Sequence, residues 1–227
     1  MERFMGAIFD ESVRVSDEFK KIIQGGAYEE LILTLMNKST KLFPNEYERV
    51  VCQSHGECDF IDLKTNKKYD AKLPITKEQG RWLGSKNSNF EKWIQSMIYE
   101  IAECGQMIMN RSWDECIENL SLYQIMEKTI KKEPEDENII FFIPFTIVFD
   151  GSNMIHTQFG SDILTFIFDR LEKNNVIGKR DVYVLYVGTE KELVFRHMNT
   201  RYVREYFSNE VLSKYIDYTV SLYQDED

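Results

Sequence analysis

Apolar residues recur along this chain with two different spacings, which predict where helices and strands lie. A spacing near 3.6 residues is typical of helices, and a short alternating or continuous apolar run is typical of strands. The first pattern predicts helices over residues 16–42, 90–109, 112–130 and 162–173. The second predicts strands over residues 47–53, 58–63, 68–73, 139–149, 181–187 and 193–195.

Polar and charged segments separate these predicted elements. Residues 64–67 form a polar turn of hairpin type, and residues 80–89, rich in Gly, Ser, Asn and Lys, are predicted to be a loop. Residues 131–137 have the composition of a charged linker, and the aromatic-rich residues 201–223 are predicted to be mostly helical.

The order of the predicted elements favours an α/β fold. Three consecutive strands, a helical crossover and a further strand predict a mixed sheet with helices on its faces. The length of 227 residues favours a single domain spanning residues 1–227. Its core is predicted over about residues 17–190, with a helical C-terminal extension over about residues 200–224.

Composition narrows the class of protein. No apolar run approaches the roughly 18 residues that a membrane-spanning helix needs, and the first apolar stretch is too short for a secretion signal. The four cysteines contain no CxxC pair, which argues against a zinc site and favours a reduced, cytoplasmic location. They are Cys52, Cys58, Cys104 and Cys116.

Charge is distributed unevenly along the chain. The net charge of −10 argues against a nucleic-acid partner. Residues 63–93, however, contain eight basic and only three acidic residues. Such a run is commonly a solvated surface, but here it directly follows a pair of acids and favours a surface that contacts phosphate.

That pair of acids lies on the predicted hairpin. Asp59 stands on one strand, and Asp70 and Lys72 stand on the next, where alternation places them on one side. If the strands pair, Asp59 lies beside Asp70 with Lys72 at the rim. Two carboxylates suit Mg²⁺, which prefers oxygen ligands, and a neighbouring lysine can orient or deprotonate a water. This arrangement indicates phosphodiester cleavage.

The same residues resemble the PD-(D/E)xK nuclease superfamily, and within it the nuclease domains of RecB and Cas4-like proteins. Their pattern is a Gly, Asp-apolar-apolar-Asp, Asp-x-Lys, and Gln-x-x-x-Tyr on the following helix. The matching positions here are Gly56, Asp59, Asp62, Asp70, Lys72, Gln95 and Tyr99. The resemblance implies a restriction-endonuclease-like core of order αβββαβ, with extra C-terminal helices. It covers roughly residues 25–149.

The resemblance also implies roles for individual residues. Asp59, Asp70 and the carbonyl of Ala71 would bind Mg²⁺ or Mn²⁺, and Lys72 would activate or orient the attacking water. Gln95 would hold the lysine or a phosphate. Contacts to nucleic acid would come from Tyr99, Lys77, Arg81 and Lys86. Asp62, although it matches the pattern, is interpreted as a turn acid.

One element of the pattern is missing. RecB-like nucleases usually carry a metal-binding His on or near the first helix, and this chain has none there. Instead, Tyr28-Glu29-Glu30-Leu31 looks like the first-helix acid of Mrr-type restriction nucleases. The metal-binding role therefore goes to Glu29, with Glu30 as its competitor.

These observations predict an enzyme, a divalent-metal-dependent deoxyribonuclease acting in repair, restriction or phage biology. DNA is its expected partner, and a homodimer or a larger nucleic-acid-processing complex is its possible assembly. Two alternatives stay open. One is a nuclease-fold module without activity that serves in binding or assembly, and the other is an acidic protein that mimics DNA or docks a basic partner. Four further residues could form a second patch that contacts phosphate, but a solvated helix face is the favoured interpretation. They are Arg196, His197, Arg201 and Arg204.

Overall fold

The computed structural model describes residues 27–50, 58–84, 113–143, 158–187, 192–199 and 203–208. The helices in these ranges are α1 (Ala27–Lys38), α2 (Lys77–Gly84), α3 (Trp113–Glu118), α4 (Ser121–Lys132) and α5 (Gln158–Lys173). The strands are β1 (Tyr47–Arg49), β2 (Phe60–Asp62), β3 (Lys68–Lys72), β4 (Glu137–Ile143), β5 (Val182–Val187), β6 (Leu193–His197) and β7 (Arg204–Phe207).

The strands form one seven-stranded mixed sheet whose spatial order follows the chain, from β1 to β7. β1, β2 and β3 are antiparallel to one another, β3, β4 and β5 are parallel, and β5, β6 and β7 are again antiparallel. Each parallel step needs a crossover, and helices of the described chain lie in both crossovers. The predicted mixed α/β architecture is therefore confirmed.

Alternation along the strands gives the sheet two apolar faces. One face contacts α3, α4 and α5, and its central strand contributes Ile139, Phe141 and Ile143 to that core. On the other face, α1 buries Leu31, Ile32, Leu35 and Met36 completely. Because β4 is covered on both sides, its sequence is a continuous apolar run rather than an alternating one.

A cluster of aromatic rings surrounds Phe43, which is fully buried just after α1. The centroid of its ring lies 4.7 Å from that of Tyr183 and 4.9 Å from that of Phe195. Tyr47 and Tyr69 pack edge-on against it from β1 and β3. These contacts link β1, β3, β5 and β6 to the segment that follows α1.

The predicted loop over residues 80–89 is wrong in its first part, because α2 continues to Gly84. The physical reason is a capping box that precedes the glycines. The Thr76 hydroxyl accepts a hydrogen bond from the Gln79 backbone N–H (3.0 Å), and the Gln79 side-chain oxygen accepts one from the Thr76 backbone N–H (2.8 Å). Two N–H groups at the helix start are thereby satisfied, which stabilises the helix despite Gly80.

The predicted helix over residues 112–130 is two helices, because the backbone of Leu120 is extended between α3 and α4. The predicted charged linker is also wrong at both ends. Lys131 and Lys132 are the last residues of α4, and Glu137 is the first residue of β4, where it is 3% exposed.

The C-terminal region contains a strand where helix was predicted, since residues 204–207 form β7. Their side chains alternate, with Glu205 and Phe207 buried and Tyr206 exposed. Glu205 accepts hydrogen bonds from the Ser39 hydroxyl and from the backbone N–H of Thr40 (2.7 Å). The carboxylate thus ties β7 to the end of α1. The rest of the predicted extension lies outside the described residues.

The strands predicted at 58–63, 68–73, 181–187 and 193–195 and the helix at 162–173 are present, with boundaries shifted by a few residues. The strands predicted over 47–53 and 139–149 are present as β1 and β4, and residues 51–53 and 144–149 lie outside the described residues. The helix predicted over 16–42 is present from Ala27 but ends at Lys38, and residues 16–26 lie outside the described residues. The helix predicted over 90–109 lies outside the described residues. No helix in the described part of the chain is both long and apolar enough to cross a bilayer.

Candidate active site

Asp59 and Asp70 come together at the start of the β2–β3 hairpin. The backbone N–H of Asp59 donates to the carbonyl oxygen of Tyr69 (3.0 Å), which fixes Asp59 beside β3. Its carboxylate oxygen accepts a hydrogen bond from the backbone N–H of Ala71 (2.8 Å). The carboxyl groups of Asp59 and Asp70 are also hydrogen-bonded to each other. Both residues are buried, at 8% and 5% exposure.

Crowding of the two carboxyl groups changes the acidity of Asp70. Burial raises the pKa of Asp70, its hydrogen bond with Asp59 raises it further, and Lys72 lowers it, with a result of about 7. A carboxyl group that resists ionisation in this way lies where a second negative charge is unfavourable. A cation placed between the two groups would remove that repulsion.

Lys72 contacts Asp70 directly on the same side of β3. Its Nζ lies 2.5 Å from Oδ2 of Asp70 and 3.6 Å from Oε1 of Glu133. Burial favours a lower pKa for Lys72, but its hydrogen bond with Asp70 and the surrounding carboxylates hold the pKa above its ordinary value. Lys72 is therefore an ammonium cation at neutral pH, suited to orienting a water or stabilising negative charge.

Glu29 reaches the same site from the first turn of α1. Burial and the charge of Asp59 raise its pKa, while Arg49 and Lys72 oppose that rise. Arg49, on β1, forms an ion pair with the Glu29 carboxylate. Glu30, the alternative in the sequence, is exposed to solvent. Glu29, and not the exposed Glu30, therefore lies where it interacts electrostatically with Asp59 and Lys72.

Tyr28 covers the site from the α1 side. Its ring stacks on Phe142 of β4, with centroids 5.9 Å apart. Burial and the charges of Glu29, Asp59 and Asp70 raise the pKa of its hydroxyl well above the ordinary value. The hydroxyl therefore stays protonated and is a hydrogen-bond donor at the edge of an acidic site.

Two further acids lie close to Asp70 and were missed in the sequence. One carboxylate oxygen each of Asp70, Glu133 and Glu137 lie within 4.8 Å of one another. Both glutamates fall in the segment predicted to be a charged linker, where a run of charges concealed the start of a buried strand. The signal in the sequence is that Glu137 stands just before a long apolar run, and the structure shows that it begins the buried strand β4.

These acids and the predicted ligands form two alternative metal-binding sets that share Asp70. The predicted set combines Asp70 with Asp59, Glu29 and the Ala71 carbonyl, and the second combines it with Glu133 and Glu137. Lys72 contacts both sets, through Asp70 and through Glu133. Among the described residues, only the second set places three carboxylate oxygens within 4.8 Å of one another, whereas the first has the closely placed pair of aspartates.

The other predicted site residues are placed as follows. Ala71 is buried, and its backbone N–H is bonded to Asp59. Lys77 and Arg81 are exposed on α2. The residues outside the described ranges are Gly56, Lys86, Gln95 and Tyr99.

Asp62 organises the turn after β2 instead of binding at the site. It accepts hydrogen bonds from the backbone N–H groups of Lys64 (2.9 Å) and Thr65 (3.1 Å) and from the Asn45 side chain (2.8 Å). Burial opposes ionisation, but these hydrogen bonds hold the pKa of Asp62 below its ordinary value. Asp62 is thus a structural turn acid.

The residues considered in the sequence as a second phosphate-contacting patch do not lie on a helix face where the structure describes them. Arg196 is buried on β6 and donates to the Thr165 hydroxyl (3.0 Å). His197 Nε2 lies 3.2 Å from Oδ1 of Asp181, and Arg204 belongs to β7. Arg201 is outside the described residues. Arg196 and His197 therefore contribute to packing within the fold.

Comparison with protein-family models, with curated proteins and with solved structures finds no match to this chain. The arrangement of its own residues therefore carries the functional argument.

Proposed function

We propose that this protein is a divalent-metal-dependent nuclease that hydrolyses DNA phosphodiester bonds. One observation carries the proposal. Two buried carboxyl groups, from Asp59 and Asp70, are hydrogen-bonded to each other, and the ammonium group of Lys72 lies against Asp70. Burying two carboxyl groups side by side costs free energy of desolvation, and such pairs are typical of functional sites.

The donor set fits Mg²⁺ or Mn²⁺. All the candidate side-chain ligands are carboxylates, the hard oxygen donors that these ions prefer. Asp59 and Asp70 would hold the cation, with Glu29 adjacent to them on α1. Burial and the neighbouring Asp59 raise the pKa of Asp70, and a cation bound by both carboxylates would favour their ionised forms. When bound, the cation would polarise the scissile phosphate and lower the pKa of a water.

The protein's own residues then have distinct roles. Lys72 is charged and contacts Asp70, so it orients the water or stabilises charge that develops on the phosphate. Arg49 positions Glu29 through their ion pair. Ala71 orients Asp59 through its backbone N–H. The site is thus assembled from α1, β1, β3 and the residue preceding β2.

The order of elements also supports a restriction-endonuclease-like core. One helix, three antiparallel strands, a helical crossover and a strand parallel to the third follow one another. This is the order αβββαβ of the PD-(D/E)xK superfamily. In this chain Asp59 directly precedes the second strand and Asp70 lies on the third. Buried free thiols at Cys58 and Cys116 accord with the proposed cytoplasmic location.

A cleavage assay tests the proposal. Linear duplex, circular duplex and single-stranded DNA are incubated with the wild-type protein in Mg²⁺, in Mn²⁺ and in EDTA. We expect cleavage only with metal, lost in Lys72→Ala and retained in Lys131→Ala. Lys131 is the matched control, because it is also ion-paired but lies on α4 with Glu127. Absence of cleavage by folded wild-type protein on every substrate would overturn the proposal and favour an inactive binding module.

A further inference from the structure

A groove of about 540 Å³ lies between α4 and the segment that joins β3 to α2. Its lining is mostly polar, with two isoleucines. The lining residues are Lys72, Ile75, Thr76, Lys77, Ser121, Gln124, Ile125, Lys128, Thr129, Lys132 and Glu133.

The groove is basic although the chain as a whole is acidic. Among the described lining residues, four are lysines and one, Glu133, is acidic, in a chain of net charge −10. Lys128 and Lys132 stand one helical turn apart on α4 and are both exposed. Among the described residues neither has an ion-pair partner, whereas Lys131 on the same helix pairs with Glu127.

The groove is continuous with the candidate active site. Lys72 and Glu133 line the groove, and the same two residues contact each other and surround Asp70. A polyanion lying along α4 would therefore reach Lys72, which contacts Asp70.

We propose that this groove binds the sugar–phosphate backbone of the nucleic-acid strand that enters the active site, without reading its bases. The proposal deepens the nuclease function and rests on it. Lys128, Lys132 and Lys77 supply the charge, and the hydroxyls of Ser121 and Thr129 supply further hydrogen-bonding groups. The described lining residues include no aromatic side chain, so they offer no platform for base stacking.

Backbone binding of this kind has a measurable signature. The logarithm of the binding constant falls linearly with the logarithm of the salt concentration. Each phosphate that a lysine neutralises adds about 0.9 to the size of this slope for duplex DNA and about 0.7 for a single strand. Lys128→Ala/Lys132→Ala should therefore reduce that slope by about 1.8 on duplex DNA or by about 1.4 on a single strand. The loss of affinity should be the same for different base sequences.

The test measures fluorescence anisotropy of labelled oligonucleotides in EDTA, so that no cleavage is needed. Probes are a mixed-sequence single strand, an oligo-dT strand and a mixed-sequence duplex. Lys128→Ala/Lys132→Ala is compared with the control Lys131→Ala/Lys179→Ala, which removes the same charge from exposed positions outside the groove. Circular dichroism verifies that both variants are folded.

The expected result is weaker binding and a smaller salt slope in the groove variant, with the control close to wild type. Equal loss in both variants, an unchanged slope in the groove variant, a loss confined to one base sequence, or no binding by the wild-type protein would each overturn the proposal. If the groove variant cleaves DNA and binds it as well as the wild type does, the proposed binding role of the groove is refuted, whereas the nuclease proposal is kept. Groove-dependent binding without metal-dependent cleavage would refute the nuclease and leave a nucleic-acid-binding groove.

Discussion

The carboxyl groups of Asp59 and Asp70 are hydrogen-bonded to each other across the β2–β3 hairpin, with the Lys72 ammonium group against the second of them. Asp70 lies on β3, Asp59 directly precedes β2, and the hydrogen bond from the backbone N–H of Ala71 to Asp59 fixes their mutual position. The pair is therefore held by the β2–β3 hairpin. Substitutions that keep the size of these side chains should remove chemistry without unfolding the protein.

Glu29 and Glu30 provide a matched comparison on one helix. Glu29→Gln removes a carboxylate next to Asp59, and we expect a loss of metal affinity or cleavage rate of about 10- to 100-fold, as found for groups that support a metal site. Glu30→Gln changes an exposed residue and should leave both unchanged. Metal-dependent cleavage rates of the two variants check this. Equal effects would show that α1 does not contribute through Glu29.

Metal-induced stabilisation distinguishes the two candidate ligand sets. A cation that binds only the folded protein stabilises it by about 2.7 kcal/mol at 100 times its Kd. We expect Mn²⁺ to raise the Tm of the wild type and of Glu137→Gln, but not of Asp59→Asn. Differential scanning calorimetry with and without Mn²⁺ measures this. The reverse pattern, with the shift lost in Glu137→Gln and kept in Asp59→Asn, would assign the metal to Asp70, Glu133 and Glu137.

Glu205 should make stability depend on pH. Burial opposes its ionisation, but hydrogen bonds from Ser39 and from the backbone of Thr40, Leu42 and Lys41 hold its pKa below the ordinary 4.5. A lowered pKa in the folded state gives stability that is present above the unfolded pKa and is lost as pH falls through the folded one. Glu205→Gln should cost about 1–3 kcal/mol at pH 7.

This difference between wild type and Glu205→Gln should narrow as pH falls below 4.5. Urea unfolding at pH 7, 5 and 3.5 measures it. A difference that stays constant across this range would mean that the carboxylate charge contributes nothing to the attachment of β7 to α1.

The capping box of α2 should stabilise the helix that carries Lys77. Removing the Thr76 hydroxyl in Thr76→Ala should cost about 0.5–2 kcal/mol, whereas Thr76→Ser keeps the hydroxyl and should cost much less. Because Gln79 satisfies the reciprocal bond, Thr76→Ala and Gln79→Ala should be coupled in a double-mutant cycle. Chemical denaturation of the three single variants and of Thr76→Ala/Gln79→Ala measures this. Strictly additive losses would show that the two bonds act independently.

Much of the sheet could be predicted from sequence because strand alternation is a local property. Asp70 and Lys72 share a side by period two alone, and the short turn before β3 places Asp59 next to them. The position of Glu29 required α1 to pack over the sheet, which the sequence indicated only through the resemblance to nucleases.

What sequence missed depended on contacts between distant segments. Glu137 appears in a run of charges, and only the parallel pairing of β4 with β3 shows that it is buried. Gly80 suggested a loop, although the reciprocal bonds of Thr76 and Gln79 had already started a helix. Glu205 lies in β7, and its carboxylate accepts hydrogen bonds from residues just after α1, which are distant in the sequence.

Cleavage by Asp70→Asn tests the central claim most directly, because the substitution keeps the shape of the side chain and removes its charge. The measurement is the rate of Mg²⁺- and Mn²⁺-dependent cleavage of the DNA substrate that the wild type cuts best, with folding of both proteins verified by circular dichroism. We predict that the wild type cuts and that Asp70→Asn is at least about 100-fold slower while still binding DNA in EDTA. Undiminished cleavage by Asp70→Asn would contradict the account.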